Sequence, residues 1–325
     1  MTSLTLGIID PFHPAILDEI RRAAPEDWTL SITEAPTEQA RAETLAGADM
    51  AFVMATPMPR SLLEAAPNLR FIQKLGAGVD RIDSAYCEEA GIGLARLQAG
   101  NNIPVAEHTM LLMLAACRNL PWLDAQTRAG AWDKEQVRGR NRQLHGKTVG
   151  IVGFGAIGRQ VARLLSGFGV TLVYYDPVRA SAADEMEFGA EYCDLDVLLA
   201  EADVVTLHLP LLPQTTNLLD AARLDAMKPG AILVNAARGG LVDEAALTKR
   251  LRSGHIFAAG IDAFSAEPPV GNPLLELPNT IVTPHCAGGT VDNFASVAER
   301  GVANIRRVLA GEAIDPAELV VAPRR

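Results

Sequence analysis

Three ionisable side chains of this sequence stand among glycines, alanines or prolines, where a small ligand could approach them closely. Arg238 lies between alanines and glycines, and its planar guanidinium suits a carboxylate that binds through both oxygens. His285 follows an apolar run and a proline, and an imidazole can give or take a proton near neutral pH. Glu267 precedes two prolines, and if it reaches His285 it would orient the ring and favour the imidazolium. The structural alternatives are an ordinary salt bridge, a satisfied structural histidine and a solvated loop carboxylate.

A second pattern predicts a nucleotide cofactor. Gly153, Gly155 and Gly158 stand between a strand-like and a helix-like run, where they would permit a tight turn, a close pyrophosphate and close helix packing. Asp176 follows 23 residues after Gly153, at the end of the next predicted strand, where an acid binds both ribose hydroxyls of NAD. The same carboxylate would repel the 2′-phosphate of NADP, although Arg179 keeps that cofactor open. The pattern therefore predicts NAD at a helix N-terminus.

Unusual residues also follow other apolar runs of this region, at the point where each run ends. They are His208-Leu209-Pro210, the stretch from Asn235 to Gly240, Asp262 and Pro284-His285. Because the carboxyl ends of parallel strands line one crevice in a doubly wound sheet, we expect these residues to meet there. This edge is the expected active site.

The elements that must position these residues alternate between strand and helix. Residues 1–100 are predicted to form an α/β unit with a parallel sheet. Its predicted strands are Leu4–Asp10, Met50–Met54 and Leu69–Leu75, and its predicted helices are Pro14–Ala23 and Ser61–Ala66. A final long helix is expected over Thr290–Leu309.

Residues 147–288 repeat the same alternation with higher regularity. The predicted strands are Thr148–Val152, Val170–Tyr175, Val204–Leu209, Ala231–Ala236, Ala258–Ile261 and Thr280–Thr283. Apolar residues from Ile157 to Phe168 fall on one helical face. Asp243 is expected to cap a helix that runs through Leu251 and ends before Gly254.

The stretch Pro104–Leu120 is almost wholly apolar and predicts a helix that is buried on nearly all sides. Such a helix could lie between two domains or against a second subunit. Residues 121–146 follow without clear periodicity and contain Trp122 and Trp132. We expect them to form an excursion that clasps a partner subunit.

The chain of 325 residues is long enough for two domains. Its formal charge of −10 is spread without long like-charge blocks, which argues against a nucleic-acid or anionic-membrane partner. The longest wholly apolar run, Met110 to Cys117, is far shorter than the ~20 residues that span a bilayer. Residues 1–10 do not resemble a signal peptide. Four widely spaced cysteines predict reduced thiols in a cytoplasm, and no close Asp, His and Cys spacing predicts a metal.

Six motifs, taken in order, resemble the D-isomer-specific 2-hydroxyacid dehydrogenases, a family that includes phosphoglycerate dehydrogenases and glyoxylate/hydroxypyruvate reductases. The resemblance covers nearly the whole chain. The motifs are Lys74-Leu-Gly-Ala-Gly-Val-Asp80, Asn102-Ile-Pro-Val-Ala-Glu-His108, Gly146-Lys-Thr-Val-Gly-Ile-Val-Gly-Phe-Gly-Ala-Ile-Gly-Arg159, Val234-Asn-Ala-Ala-Arg-Gly-Gly-Leu-Val-Asp243, Asp262-Ala-Phe-Ser-Ala-Glu-Pro-Pro269 and Thr283-Pro-His-Cys-Ala-Gly288.

The resemblance implies a role for each matching residue. It places the catalytic Arg, Glu and His on Arg238, Glu267 and His285. The substrate carboxylate would be held by the turn formed by Leu75, Gly76, Ala77 and Gly78, together with Arg238 and His285. The cofactor would be lined by Gly153, Gly155, Ala156, Ile157, Gly158, Asp176, His208, Leu209, Ala236, Ala237, Arg238, Asp262, His285 and Gly288.

The resemblance also implies the architecture, which is α/β with two doubly wound parallel-sheet domains. A Rossmann NAD-binding domain, residues 101–289 with a dimerisation excursion at 121–146, would be inserted into a flavodoxin-like substrate domain of residues 1–100 and 290–325. A homodimer formed through the cofactor domains is expected.

The implied function is NAD-dependent hydride transfer between a small D-2-hydroxy acid and its 2-oxo acid. One alternative is an NAD(H)-sensing protein, as in corepressors that resemble these enzymes, although only a few residues follow Leu319. A phosphite dehydrogenase is another. A formate dehydrogenase is less favoured, because those enzymes typically carry Gln at the position of Glu267.

Overall fold

The computed structural model describes residues 4–98 and 100–324. The chain divides into two compact units, each built around its own sheet. One unit comprises Met1–Asn101 with Gly289–Arg325, and the other comprises Asn102–Gly288. The sequence of the second unit therefore interrupts that of the first.

The first unit begins with five parallel strands and four helices. The strands are β1 (Thr5–Ile8), β2 (Thr29–Ile32), β3 (Met50–Val53), β4 (Phe71–Lys74) and β5 (Gly93–Arg96); the helices are α1 (Pro14–Ala23), α2 (Glu38–Ala46), α3 (Arg60–Glu64) and α4 (Ser84–Ala90). The strands lie in the order β2-β1-β3-β4-β5. This order is that of flavodoxin-like sheets.

The predicted helix Pro14–Ala23 is found with the same bounds. The first strand is shorter than predicted, because the chain turns at Asp10. The Asp10 carboxylate, almost fully buried, accepts hydrogen bonds from the backbone N–H groups of Ala55 and Thr56 at 2.7 and 2.8 Å. Strands β2 and β5 were not predicted, since neither combines a long apolar run with clear alternation.

The second unit contains seven parallel strands. They are β6 (Thr148–Val152), β7 (Thr171–Tyr175), β8 (Ala190–Tyr192), β9 (Val204–Leu207), β10 (Ala231–Asn235), β11 (Ile256–Ile261) and β12 (Thr280–Val282). They lie in the order β12-β11-β10-β9-β6-β7-β8, with the strand order reversing beside β6 as in Rossmann sheets. Alternate residues of β10 enter two different apolar clusters, Ile232 and Val234 in one and Ala231 and Leu233 in the other. Both faces of this sheet are therefore covered.

The helices of this unit are α5 (Asn102–Arg118), α6 (Leu120–Arg128), α7 (Lys134–Arg140), α8 (Ala156–Leu165), α9 (Ala182–Phe188), α10 (Leu195–Glu201), α11 (Ala221–Ala226) and α12 (Glu244–Ser253). As predicted, the Asp243 side chain caps α12, and Gly254 ends it in a left-handed conformation. The β6 to α8 connection contains the three glycines of the predicted cofactor turn.

Helix α5 packs on α8 and on strands β10 to β12, but it is not buried on all sides. Ile103, Leu111 and Leu114 lie on one face of the helix and are 53, 52 and 38% exposed. One face of α5 is therefore uncovered in the single chain, and its burial against a second subunit, one of the two expected arrangements, stays a prediction. Residues 121–146, expected to be irregular, contain most of α6 and all of α7, and neither helix has a buried residue.

The chain returns to the first unit through α13 (Val291–Ala310) and the short strand β13 (Leu319–Val321), which pairs antiparallel with β5. Gly301 of α13 lies against β3 and the end of β4. A Cβ atom there would be 2.9 Å from the Phe52 ring and 3.0 Å from the Leu75 side chain, so any larger residue would require these side chains to shift. None of the helices in the described residues is long and apolar enough to cross a membrane.

Candidate active site

The parallel pairing of the second unit brings the ends of five neighbouring strands to one edge. Strands β6, β9, β10, β11 and β12 are adjacent and run in the same direction. The predicted site residues follow these ends in turn, with Gly153 after β6, His208 after β9, Arg238 after β10, Asp262 after β11 and His285 after β12. The sheet itself thus collects residues that are far apart in the sequence.

Two of the three glycines in the turn after β6 are required by close backbone contacts. Gly153 has a φ of 99°, and a Cβ there would lie 2.7 Å from the backbone of His208. A Cβ on Gly158 would lie 2.1 Å from the carbonyl oxygen of Gly153. Gly155 differs, because a Cβ there would meet no atom within 4 Å. Its bare face leaves open space beside the turn, as the close approach of a pyrophosphate requires.

Helix α8 begins directly after this turn, at Ala156 and Ile157. Gly155 occupies the N-cap position and supplies no side-chain hydrogen bond to the first turn. The first-turn N–H groups and the helix dipole are then available to an anion. The residues present therefore fit the phosphates of a dinucleotide.

The Asp176 carboxylate lies beside the turn at the end of β7. It accepts hydrogen bonds from the backbone N–H groups of Phe154 at 2.8 Å and Val178 at 2.9 Å. Each oxygen accepts one bond from the protein, so lone pairs remain for two ribose hydroxyls. Asp176 thus holds the turn and keeps free acceptor positions beside it.

Arg179, the residue that had kept NADP open, is held by Glu185. Its Nε and second guanidinium nitrogen donate to the two carboxylate oxygens at 2.8 and 3.0 Å. The Arg179 guanidinium, and then the Tyr174 hydroxyl, hold the pKa of Glu185 below its usual value. The Arg179 guanidinium is thus paired with a carboxylate of the protein, that of Glu185.

His208 and Leu209 follow β9, beside the glycine turn. Burial lowers the pKa of His208 to about 3, so its ring is neutral at physiological pH. Its Nε2 lies 3.0 Å from the Thr206 hydroxyl, and its backbone N–H donates to Val152. His208 is therefore excluded as a general acid, while its backbone lies against the glycine turn at Gly153.

Glu267 and His285 are brought together by the loops that follow β11 and β12. The Oε1 atom of Glu267 lies 2.8 Å from Nδ1 of His285, and their side chains are 20 and 39% exposed. The same oxygen accepts a hydrogen bond from the backbone N–H of Phe264 at 3.2 Å. The carboxylate thus orients the ring, and within the described chain the His285 Nε2 makes no hydrogen bond.

Asp262 holds the backbone that carries His285. Its carboxylate is completely buried and accepts hydrogen bonds from the N–H groups of Cys286 and Ala287, both at 3.0 Å, and from the Thr283 hydroxyl at 2.6 Å. Its carbonyl oxygen accepts from the His285 N–H. His285 has a φ of 52°, a left-handed conformation that is uncommon for residues other than glycine. Asp262 stabilises this conformation by binding the residues on both sides of it.

Helix α5 supports this loop through His108, a residue that was not among the predicted site residues. The Nε2 of His108 lies 3.0 Å from the Thr283 hydroxyl and 3.5 Å from the Asp262 carboxylate. His108 precedes Asp262 by more than 150 residues, so no local spacing could have indicated the contact. The motif that ends at His108 was the one signal available.

Arg238 lies in a turn closed by Asn235. The Asn235 side chain donates to the Arg238 carbonyl at 2.8 Å and accepts from the Ala237 N–H at 3.1 Å. The adjacent Gly239 has a packing role, because a Cβ there would lie 1.9 Å from the carbonyl carbon of Phe264. The Arg238 turn and the loop that leads to Glu267 can therefore touch only through a glycine.

The turn predicted to bind the substrate carboxylate lies in the first unit, directly after β4. Leu75 is buried and donates to the Val53 carbonyl, while Ala77 is exposed. In the part of the chain that the structure describes, the N–H groups of Gly76, Ala77 and Gly78 donate to no protein acceptor. Such adjacent backbone donors suit an anion.

Comparisons with known proteins place this site in a family. Residues 110–287 match the family model of the D-isomer specific 2-hydroxyacid dehydrogenase NAD binding domain. The chain belongs to this family. It is 40% identical to a D-3-phosphoglycerate dehydrogenase of Mycobacterium bovis over 263 residues, which cover 81% of this chain and 49% of that protein. The chain thus spans about half the length of the first curated relatives it matches.

Two further proteins similar to this chain are matched over more of their own length. A hydroxypyruvate reductase of Thermotoga maritima is 38% identical over 241 residues, 73% of this chain and 77% of that protein. An NAD-dependent formate dehydrogenase of Staphylococcus aureus, solved with NAD, superposes with a TM-score of 0.84 at 29% identity, covering 98% of this chain and 99% of that one. The predicted fold class and the expectation of NAD as cofactor are confirmed by these matches.

The charge of Asp176 and the pairing of Arg179 predict a preference between the two nicotinamide cofactors. We expect NADH to bind at least about tenfold more tightly than NADPH, because a 2′-phosphate would face an uncompensated carboxylate. Asp176→Asn should narrow this ratio, while Glu191→Ala, an exposed carboxylate on β8, should leave it unchanged. Quenching of protein fluorescence in titrations of both cofactors measures it. Equal affinities in the unaltered protein would contradict this assignment.

Proposed function

We propose that this protein is an NAD-dependent oxidoreductase that transfers a hydride between C4 of the nicotinamide and C2 of a small D-2-hydroxy or 2-oxo acid. The observation that carries the proposal is the 2.8 Å contact between Glu267 and His285 at the sheet edge that also carries the glycine turn and Arg238. An oriented imidazole, a guanidinium and a dinucleotide turn are the parts that this reaction needs.

The bound cofactor would supply or accept the hydride, and the chain would supply the proton and the electrostatics. His285 is assigned as the acid and base, because Glu267 binds its Nδ1 and leaves Nε2 to donate to the oxygen formed at C2 during reduction. Glu267 would stabilise the imidazolium until that proton is transferred. In oxidation the same proton returns to His285.

Arg238 is assigned to the substrate carboxylate and carbonyl oxygen, since its planar guanidinium can bind two oxygens together. The N–H groups of Gly76, Ala77 and Gly78, which donate to no acceptor within the described residues, are the predicted binding site of a substrate carboxylate in the first unit. Binding by backbone groups leaves few side chains that could distinguish one small 2-oxo acid from another.

The substrate class follows from the acid and base pair. Formate oxidation produces no alkoxide that must be protonated, so it gives no role to a Glu267–His285 pair. A phosphite dehydrogenase remains an alternative. An NAD(H)-sensing protein would bind NADH but, unlike the enzyme, would not turn over any 2-oxo acid.

We further propose a homodimer formed through the unit of residues 102–288. The exposed apolar face of α5 continues into Leu120, which is 49% exposed, and the following segment presents Trp132, which is 77% exposed. Helices α6 and α7 bury no residue in the single chain. Exposed large apolar side chains on neighbouring helices are typical of subunit interfaces. A cytoplasmic location stays a prediction.

Two substitutions separate proton transfer from substrate binding. His285→Ala should lower kcat for 2-oxo acid reduction by ~10²–10⁴ while NADH still binds, because the loss falls on the proton and not on the glycine turn. Arg238→Lys should raise KM strongly and also lower kcat, because an ammonium cannot bind two oxygens in the same plane. Both are measured from NADH absorbance with a series of 2-oxo acids. An unaltered protein that binds NADH but reduces none of them would contradict the enzyme and favour the sensor.

The role of Glu267 is tested by a pH profile. In Glu267→Gln the kcat for 2-oxo acid reduction should fall at every pH of the profile, because an amide at this position removes the negative charge beside the protonated ring that donates the proton. Glu276→Gln, an exposed carboxylate of the same unit, is the matched control and should leave the profile in place. A profile of Glu267→Gln that coincides with that of the unaltered protein would remove Glu267 from the mechanism.

The dimer is tested by sedimentation velocity at micromolar concentration. The unaltered protein should sediment at twice the chain mass of 34.6 kDa, and Leu111→Glu should shift it toward the monomer, since a charge on the apolar face opposes its burial. Met186→Glu is the control, because Met186 is 84% exposed on α9, a helix that contributes none of these apolar side chains. A monomeric unaltered protein would refute the proposed assembly.

A further inference from the structure

The loop after β12 brings together three side chains that the proposed reaction does not use as acids or bases. The Nε2 of His108, a carboxylate oxygen of Asp262 and the Sγ of Cys286 all lie within 4.8 Å of one another. We propose that these three residues form a binding site for a thiophilic divalent cation such as Zn²⁺. No spacing in the sequence indicates it, since His108 lies on α5, Asp262 directly after β11 and Cys286 in the loop after β12.

The charge balance of the cluster favours a cation. Asp262 is completely buried, and no lysine or arginine forms an ion pair with it in the described residues. Backbone N–H groups and the Thr283 hydroxyl donate to its oxygens, but these are neutral dipoles. The nearest group able to carry a positive charge is His108, at 3.5 Å. Buried carboxylates are usually paired with a cation or coordinate a metal, and this one has only the imidazole.

The ligand types select the class of metal. A thiolate and an imidazole favour Zn²⁺ and similar soft ions over Mg²⁺ and Ca²⁺, which prefer oxygen ligands. Three protein ligands with a fourth position left to water are a common zinc arrangement. Zinc bonds of roughly 2.0–2.3 Å would require the three ligand atoms to move closer together than they are now. Cys286 lies at the exposed side of the cluster and can make this adjustment, whereas Asp262 is fixed.

Binding the cation requires two proton changes. The Cys286 thiol would release its proton to solvent and bind as the thiolate. The Thr283 hydroxyl donates to Asp262, so it accepts from a protonated Nε2 of His108 in the metal-free protein. His108 would then carry its proton on Nδ1 and present the Nε2 lone pair to the ion. Solvent can reach both residues that change protonation, since Cys286 is exposed and 13% of the His108 side chain is exposed.

A cation at this site would affect the proposed enzyme. Asp262 and the residues from His285 to Gly288 belong to the stretch assigned to the cofactor, so an ion held there should compete with NADH. This consequence rests on the proposed function, whereas the metal site itself does not. Zinc would then act as a reversible inhibitor.

The site is tested by titrating the full chain with Cd²⁺ in the absence of NADH. A cadmium–thiolate bond produces an ultraviolet charge-transfer band, which we expect to saturate at one ion per chain. Cys286→Ser should abolish the band, and Cys193→Ser, which removes another partly exposed thiol, should retain it. His108→Ala should weaken Cd²⁺ binding by at least about tenfold, the loss already seen when supporting residues of metal sites are removed. A band that survives in Cys286→Ser, or its absence in the unaltered protein, would overturn the site.

Kinetics with Zn²⁺ test the competition separately. Zn²⁺ should raise the apparent KM for NADH in the unaltered protein and in Cys193→Ser, and it should do so much less in Cys286→Ser. Inhibition that is equal in all three proteins would refute competition through this cluster. Because the Cd²⁺ band needs no turnover, loss of the proposed enzyme activity and loss of the metal site are distinguishable outcomes.

Discussion

The buried carboxylate of Asp262 is the interaction on which the arrangement of this site depends. The backbone N–H of Asp262 donates to the carbonyl oxygen of Asn235 at the end of β10, and the carbonyl oxygen of Asp262 accepts from the N–H of His285 beyond β12. Its side chain binds Thr283, Cys286 and Ala287. One residue therefore connects the turn that carries Arg238 with the loop that carries His285. An unpaired charge buried at this position is stable only while all of these donors stay in place, so the loop is held in one conformation.

Close backbone contacts supply the second constraint. Gly239 lets the Arg238 turn touch the loop that leads to Glu267, and Gly153 and Gly158 let the cofactor turn fold against β9 and α8. A methyl group at any of these positions would overlap main-chain atoms, which cannot rotate aside as a side chain can. Rigid turns thus position the candidate site residues at this edge, while the open face of Gly155 leaves room for a ligand.

The same carboxylate joins the proposed catalytic and metal-binding properties. Asp262 fixes the backbone of His285, and it is also the anionic member of the cluster with His108 and Cys286. Helix α5 connects the metal cluster with the proposed dimer surface. Its inner face carries His108, and its outer face exposes Leu111 and Leu114. The proposed dimer surface, cofactor site and cation site would therefore all involve α5 or the loop after β12.

Much of this protein could be predicted from its sequence alone. The glycine turn and Asp176 have a fixed spacing on a strand, turn and helix, and alternation of apolar runs with helical periods indicates the sheets, because these signals are local. Local signals do not establish which side chains come into contact, even where a contact such as that of Glu267 with His285 was suggested. The pairing of Arg179 with Glu185, the contact of Glu267 with His285, and the meeting of His108, Asp262 and Cys286 depend on strand order and loop conformation. The exposure of one face of α5 could not be predicted either, because an apolar helix has the same sequence pattern whether its own chain or a partner subunit covers it. Tertiary structure decided these points, since only it determines which residues of different strands and helices come within bonding distance.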